Sequence, residues 1–264
     1  MLAAAGNGDL EQLKLLLRDN RNSNTHMFMG ETCLLRAVSN GHIHVVDWLL
    51  QNGSSLDEKN VNGETSMILA CKHGQLEMVE WLYTEKDCSL KEKATNGNNC
   101  ILYAAMYGHL SVLKWLLLRR CSKSSRNKNG DSCLTLATRN NHLDVIKLLV
   151  SVGCSLSERT YTGESCMTLA SINGYLDILK YLVEQGCSLQ EMNRAGTCIM
   201  NAARNKHLDC VIWMLVNGSS LDENTAVNDD DTEFTTAQTC EDILKRLDLY
   251  DDVKKAMTTK SSRK

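Results

Sequence analysis

The sequence predicts an all-α repeat solenoid, and three observations support this fold class. A stretch of 33 residues from Gly130 to Thr162 recurs in similar form, once from Gly97 and once from Gly163. Within each copy, apolar residues follow helical spacing on two successive segments. Glycines stand at fixed places between these segments. Self-similarity at a period of this length is typical of an array in which each repeat packs only on its neighbours.

The repeat boundaries follow from the glycines that open each copy. They are spaced by 33 or 34 residues and comprise Gly30, Gly63, Gly97, Gly130, Gly163 and Gly196. We assign residues 1–29 to an N-terminal capping repeat (repeat 1) and residues 30–225 to six further repeats (repeats 2 to 7). We expect residues 226–264 to hold an acidic loop, a pair of C-terminal capping helices and a tail.

Each repeat is expected to form a short helix and then a longer one. In repeat 2 the pattern predicts helices over Cys33–Ser39 and Ile43–Gln51, separated by a polar turn at Gly41. A glycine directly follows the second helix in four repeats, where a left-handed C-cap residue is common. These glycines are Gly53, Gly153, Gly186 and Gly218. The polar residues between this cap and the next opening glycine are expected to form a hairpin-like loop.

The start of each first helix resembles the Thr-Pro-Leu-His motif of ankyrin repeats. It reads Thr32-Cys33-Leu34-Leu35 in repeat 2 and Ser132-Cys133-Leu134-Thr135 in repeat 5. The resemblance implies two antiparallel helices joined by β-turn or hairpin loops, and a role in protein–protein interaction. The hydroxyl or amide at the first place is kept, as a helix N-cap requires. The proline and histidine are replaced in every repeat. Because the family's histidine ties neighbouring repeats together, we expect a correct fold that is softer than an idealised array.

Composition argues against several classes of function. The net charge of −3 provides no overall basic excess for a nucleic-acid backbone. No run of about 18 apolar residues would span a membrane. The sequence shows no phosphate-binding loop and no hydrolase motif, so we expect no enzymatic activity and no cofactor. We expect a monomer in the cytoplasm, with the nucleus left open.

Most of the twelve cysteines form two ladders in register with the repeat. One ladder opens the first helices and comprises Cys33, Cys100, Cys133, Cys166 and Cys198. The other follows the second helices and comprises Cys88, Cys121, Cys154 and Cys187. A string of metal ions or disulfides is one interpretation. Packed helices lie about 8–10 Å apart, beyond the roughly 7 Å that a disulfide allows between Cα atoms. We therefore favour small buried side chains in a reducing compartment.

Two further sets of residues recur with the repeat. Histidines recur in the turn between helices at His42, His109, His142 and His207. They lie a full repeat or more apart, so a turn role is favoured over metal binding. One place in the second helix is aromatic at Trp48, Trp81, Trp115, Tyr181 and Trp213. These side chains could bind a peptide, but their helical spacing favours packing between repeats.

The resemblance also indicates where a partner would bind. Ankyrin proteins usually bind with residues beside the opening glycine and before the turn glycine of each repeat. At those places this sequence has aromatic, apolar, histidine or arginine side chains at Phe28, Met29, His73, Met106, Tyr107, Arg139, Tyr161, Ile172 and Arg204. Aromatic and arginine side chains are common anchors of interfaces. We predict a module that binds a protein or peptide on its concave loop and first-helix face. The alternative is a structural spacer or self-assembling scaffold without a dedicated partner.

Overall fold

The computed structural model describes residues 1–19, 31–222 and 239–261, which fall into two compact units, Met1–Lys128 and Asn129–Lys264. In both units the chain forms successive pairs of short helices. The N-terminal unit contains α1 (Leu2–Asn7), α2 (Leu10–Asp19), α3 (Cys33–Ser39), α4 (Ile43–Gln51), α5 (Ser66–Lys72), α6 (Leu76–Thr84), α7 (Cys100–Met106) and α8 (Leu110–Leu118). The two helices predicted in repeat 2 are confirmed as α3 and α4.

The C-terminal unit continues the same pattern and adds one small hairpin. Its helices are α9 (Cys133–Arg139), α10 (Leu143–Ser151), α11 (Cys166–Asn173), α12 (Leu176–Glu184), α13 (Cys198–Arg204), α14 (Leu208–Val216), α15 (Cys240–Arg246) and α16 (Tyr250–Ser261). Strands β1 (Met192–Asn193) and β2 (Gly196–Thr197) pair antiparallel in the loop before α13. The predicted terminal helix pair is present as α15 and α16, and the predicted acidic loop lies largely outside the described residues.

Small side chains allow the first helices to pack closely against one another. Within the N-terminal unit, α3 packs on α1 and α5, and α5 packs on α7. Ala37, Ala70 and Ala104 occupy one position in these helices and are fully buried. Because alanine ends at its β-carbon, it removes little space between neighbouring helices. In the C-terminal unit Ala137 and Ala170 fill the same position.

The predicted N-cap residues hold the N-cap position in all six repeats, but only four of them form the capping hydrogen bond. The side-chain oxygens of Thr32, Asn99, Ser132 and Ser165 each accept a hydrogen bond from the backbone N–H three residues on. Thr65 and Thr197 occupy the same place without forming this bond. Their hydroxyl oxygens are buried and have no hydrogen-bond partner. The residue type therefore predicts the position of the helix start, but not the capping bond.

The residue with left-handed backbone after the second helix is glycine in four repeats and a larger residue in two. The four predicted C-cap glycines are confirmed in the left-handed region, with φ between 79° and 107°. Asp87 in repeat 3 and Arg120 in repeat 4 take the same place, at φ 52° and 59°. Repeat 3 also carries its extra residue here, because the Cys88 N–H reaches back six residues to the Leu82 carbonyl. In repeats 2 and 4 to 7 this bond spans five residues.

Neighbouring repeats are tied together from the start of the second helix. There, a polar side chain hydrogen-bonds to a backbone carbonyl near the end of the preceding repeat's first helix. The pairs are His42 to Gly6, Gln75 to Ser39, His109 to Lys72, Tyr175 to Arg139 and His207 to Ile172, at 2.9, 3.2, 2.8, 3.4 and 2.9 Å. The ties that the family makes from its first-helix histidine are thus made here from another element.

The aromatic position in the second helices packs between repeats at Trp115. Its side chain is only 6% exposed, and its ring meets Tyr83 of the preceding repeat edge-on at 5.4 Å. The packing interpretation is therefore confirmed for this residue. Trp48, Trp81 and the equivalent aromatic residues of the C-terminal unit are half-buried.

All twelve cysteines are free thiols. In the first-helix ladder every member except Cys33 is buried, which fits a small apolar side chain. The ladder after the second helices is half-buried. Burial raises the pKa of Cys88, Cys121 and Cys187 to about 11. These thiols are therefore poor nucleophiles near neutral pH.

Candidate interaction surface

In the N-terminal unit, two of the positions that the family uses for binding pair with each other. The Lys72 ammonium lies 2.8 Å from the carboxylate of Glu64, which is also bonded by the Asn60 amide at 2.7 Å. Burial alone would raise the pKa of Glu64, but the hydrogen bonds from Lys72, Asn60 and Tyr103 outweigh it and lower that pKa. His73 follows directly and is exposed. Partial desolvation by the surrounding groups, together with the Lys72 charge, lowers the pKa of its imidazole.

Tyr107 presents an aromatic ring at the end of α7. It is the C-cap residue of that helix, and its side chain is 42% exposed. The ring stacks between those of Tyr103 and His109, each 6.3 Å away with planes inclined by 20°. Met106 is half-buried, and its sulfur lies 4.0 Å from the Asn98 amide nitrogen. Tyr107 is thus held by its neighbours with part of its surface in solvent.

In the C-terminal unit, Arg139 bridges two repeats. Its Nη2 lies 3.0 Å from a carboxylate oxygen of Asp131 and 2.9 Å from one of Glu164. Asp131 is only 4% exposed, so the guanidinium satisfies an almost buried charge. Ile172 and Arg204 are half-buried. The charge of Arg139 therefore serves the fold as well as any partner.

Among the predicted aromatic residues that the structure describes, Tyr161 is the most exposed. Its side chain is 71% exposed at the tip of the loop that follows α10. Its backbone N–H donates to the Asn129 carbonyl at 3.1 Å. The ring lies over Gly130, where a β-carbon would come within 2.6 Å of it. The backbone is therefore fixed by the preceding loop while the ring faces solvent.

The predicted binding residues fall into three groups by their exposure to solvent. His73, Tyr107 and Tyr161 are exposed, whereas Met106, Arg139, Ile172 and Arg204 are half-buried. Phe28 and Met29 lie outside the described residues. Val61 is 73% exposed two residues before Gly63, as Tyr161 is before Gly163, and was not among the predicted anchors. Its position two residues before an opening glycine was the sequence signal that indicates an exposed side chain there.

Tandem helix pairs with exposed loop tips define a repeat protein of the ankyrin type. The ankyrin-repeat family model, which covers three copies of the repeat, matches residues 1–94 and 101–193. The chain belongs to the ankyrin-repeat family. The crystal structure of the human ASB11 ankyrin repeat domain is similar, with a TM-score of 0.68 and 21% identity over 83% of this chain and 97% of that chain. These matches confirm the all-α ankyrin solenoid as the fold class. No curated protein sequence matches the chain.

Ankyrin repeats are generally protein–protein interaction modules. In the part of the chain that the structure describes, no group of three or more His, Cys, Asp or Glu side chains could hold a metal ion. No helix among the described residues is long and apolar enough to cross a membrane.

Proposed function

We propose that this chain is a non-enzymatic interaction module that binds a protein or peptide partner through its first-helix ends and loop tips. The observation that carries the proposal is Tyr161, whose ring is 71% exposed on a backbone fixed to the preceding loop. A ring already held in place loses little conformational freedom on binding. In the N-terminal unit the exposed ring of Tyr107 is likewise held in place, by stacking on Tyr103 and His109.

Arg139 is half-buried and already paired, so it fits the polar rim of such an interface better than an anchor position. Arg139 holds Asp131 and Glu164, and the Glu64–Lys72 pair occupies the equivalent place in repeat 3. Polar groups that are already paired fit the polar rim of an interface, in which exposed aromatic rings are the anchors. This supports protein binding on the first-helix side in each unit.

Affinity capture from source-cell lysate with the full chain tests the proposal, read by mass spectrometry. Tyr107→Ala and Tyr161→Ala should each reduce capture of a partner that the unchanged chain retains. Val216→Ala is a matched control, because Val216 is an exposed apolar residue (44%) on the second helix α14. A partner lost equally with Val216→Ala, or retained by both tyrosine variants, would contradict the proposed surface.

Exposed apolar residues at the ends of α8 and α10 favour the alternative of a self-assembling scaffold. Leu118 is 80% exposed at the end of α8, and Val152 is 37% exposed directly after α10. Light scattering separates the two functions. A mass that rises with concentration and falls with Leu118→Ser would favour self-assembly, and a constant monomer mass would oppose it.

A further inference from the structure

Charge is distributed unevenly along the chain. Between Lys93 and Gly130 the sequence holds seven lysine or arginine residues and no aspartate or glutamate. The rest of the chain therefore holds 22 of the 29 basic residues and all 32 acidic ones. The net charge of −3 is thus the sum of +7 in this region and −10 in the rest of the chain. The basic region belongs almost entirely to the N-terminal unit.

This region borders a cleft of about 600 Å³ between the loops that follow α6 and α8. Three exposed cations line the cleft: Lys91, Arg119 and Arg120. Asp87 supplies the one carboxylate among the lining residues. None of the ion pairs among the described residues involves Arg119 or Arg120. The cleft therefore presents two arginines that form no ion pair with an acidic side chain in the described part of the chain.

Arg119 is oriented by aromatic stacking. Its guanidinium carbon lies 3.6 Å from the centre of the Trp115 ring and 5.4 Å from that of Tyr83. A guanidinium that stacks on a ring keeps the N–H groups at its edge available for hydrogen bonds. Holding the side chain in advance lowers the conformational cost of binding an anion.

Arg120 stands where most repeats have glycine. Its φ of 59° lies in the left-handed region, and the same place is Gly53, Gly153, Gly186 or Gly218 in four other repeats. A residue with a β-carbon is disfavoured there, and arginine gains nothing from the local hydrogen bonds that help Asn and Asp. A strained backbone that positions an exposed charge in a cleft points to a functional use of that charge.

We propose that this cleft binds an acidic peptide segment of a partner protein. Carboxylates of the segment would form paired hydrogen bonds with the guanidinium groups of Arg119 and Arg120, and Lys91 would add a third charge. The volume is that of a site for a few side chains. Tyr107 does not line the cleft, so the proposal is independent of the interaction surface described above.

Two observations favour a peptide over a nucleic acid. Arg119 covers the face of Trp115, so that ring does not offer a stacking platform for a base. The acidic remainder of the chain would repel a long polyanion more than a short acidic segment.

Fluorescence anisotropy of the full chain with a labelled peptide of alternating glutamate and glycine tests the proposal. We expect binding that weakens as salt is raised from about 50 to about 300 mM, and no binding of the matching lysine peptide. Arg120→Gly should weaken binding roughly 5- to 10-fold. It should also raise the melting temperature, because glycine tolerates the φ of this position. Asp87→Gly should tighten binding by removing the cleft's carboxylate.

Lys206→Gly is the matched control. Lys206 also has a left-handed φ, 61°, so its replacement removes the same charge and the same β-carbon outside the cleft. It should raise the melting temperature and leave peptide affinity unchanged. The proposal is wrong if the glutamate peptide does not bind, or if both glycine variants weaken it equally. A single-stranded DNA that binds more tightly than the peptide and depends on Arg120 would instead identify a nucleic-acid cleft.

Discussion

The imidazole Nε2 of His109 lies 2.8 Å from the backbone carbonyl oxygen of Lys72, 37 residues earlier in the chain. A carbonyl can only accept a hydrogen bond, so this nitrogen carries the proton and donates. The bond joins the start of α8 to the end of α5. The ring also lies directly over Gly74, where a β-carbon would come within 2.5 Å of Nδ1. One side chain thus explains both a tie between repeats and the glycine in the turn.

A double-mutant cycle at these two positions should show strong coupling. Gly74→Ala is expected to cost about 3 kcal/mol of unfolding free energy, because it combines a left-handed φ with displacement of the His109 ring. In a His109→Ala background the same change should cost only about 1 kcal/mol, since the φ penalty alone remains. Urea denaturation of the four proteins measures the difference.

Gly163→Ala provides the control for this cycle. Gly163 has φ 83°, and a β-carbon there would meet no atom within 4 Å. Its replacement should therefore carry only the backbone penalty. Equal costs for Gly74→Ala and Gly163→Ala would show that the His109 ring does not restrict the turn.

Thr32 and Thr65 occupy the same place in successive repeats, yet their replacement by valine should have different effects. The Thr32 hydroxyl accepts from the Leu35 N–H at 3.2 Å and donates to the Glu58 carboxylate. Thr32→Val should therefore cost about 1–2 kcal/mol. The Thr65 hydroxyl is buried without a partner, so Thr65→Val should be neutral or stabilising. Equal losses in thermal unfolding would contradict this difference.

Much of the fold was predictable because the repeat samples each position several times. The bounds of α3 and α4 and the four C-cap glycines agree with the structure because apolar spacing and glycine recur at each. The capping bond of Thr65 could not be predicted, since it depends on the surroundings of one hydroxyl. Nor could the ties made by Gln75 and Tyr175, because two different side chains perform there the role of the turn histidine.

The candidate surface was predictable by position and less so by exposure. The place of Tyr161 before an opening glycine indicated an exposed ring, and the structure has one. The place of Arg139 indicated an interface anchor. Its ion pairs with Asp131 and Glu164, which lie 8 and 25 residues away in the sequence, depend on how the chain packs. Sequence spacing defines which side chains lie on a face, whereas their partners are set by packing.

Arg139→Met should destabilise the C-terminal unit by about 1–3 kcal/mol. The change removes the Arg139 guanidinium from the Asp131 carboxylate, which is only 4% exposed. Arg36→Met is the comparison, because the Arg36–Glu31 pair is more exposed on both sides and should contribute less than about 1 kcal/mol. Hydrogen exchange of α9 and α11 locates the effect. Unchanged protection in Arg139→Met would show that the bridge adds no stability.

The buried carboxylate of Glu64 should make stability depend on pH in a defined direction. Its pKa lies below the usual value of 4.5 because hydrogen bonds from Lys72, Asn60 and Tyr103 outweigh the effect of burial. A carboxyl group with a lowered folded-state pKa stabilises the protein above its unfolded pKa, and this contribution is lost as pH falls through the folded value. Glu64→Gln should therefore cost about 1–3 kcal/mol at neutral pH and progressively less below about pH 4.5.

Urea denaturation of the unchanged chain and Glu64→Gln at a series of pH values measures this convergence. Glu77→Gln removes the same charge from an exposed position on α6 and corrects for the change in net charge. In the Glu64→Gln variant the new amide oxygen can still accept a hydrogen bond from Lys72. The amide does not gain a proton between about pH 7 and about pH 3, so residue 64 adds no pH dependence to the unfolding free energy of the variant. The prediction is wrong if the difference in unfolding free energy between the two proteins stays constant from about pH 7 to about pH 3. The pKa of Glu64 would then be the same in the folded and the unfolded chain.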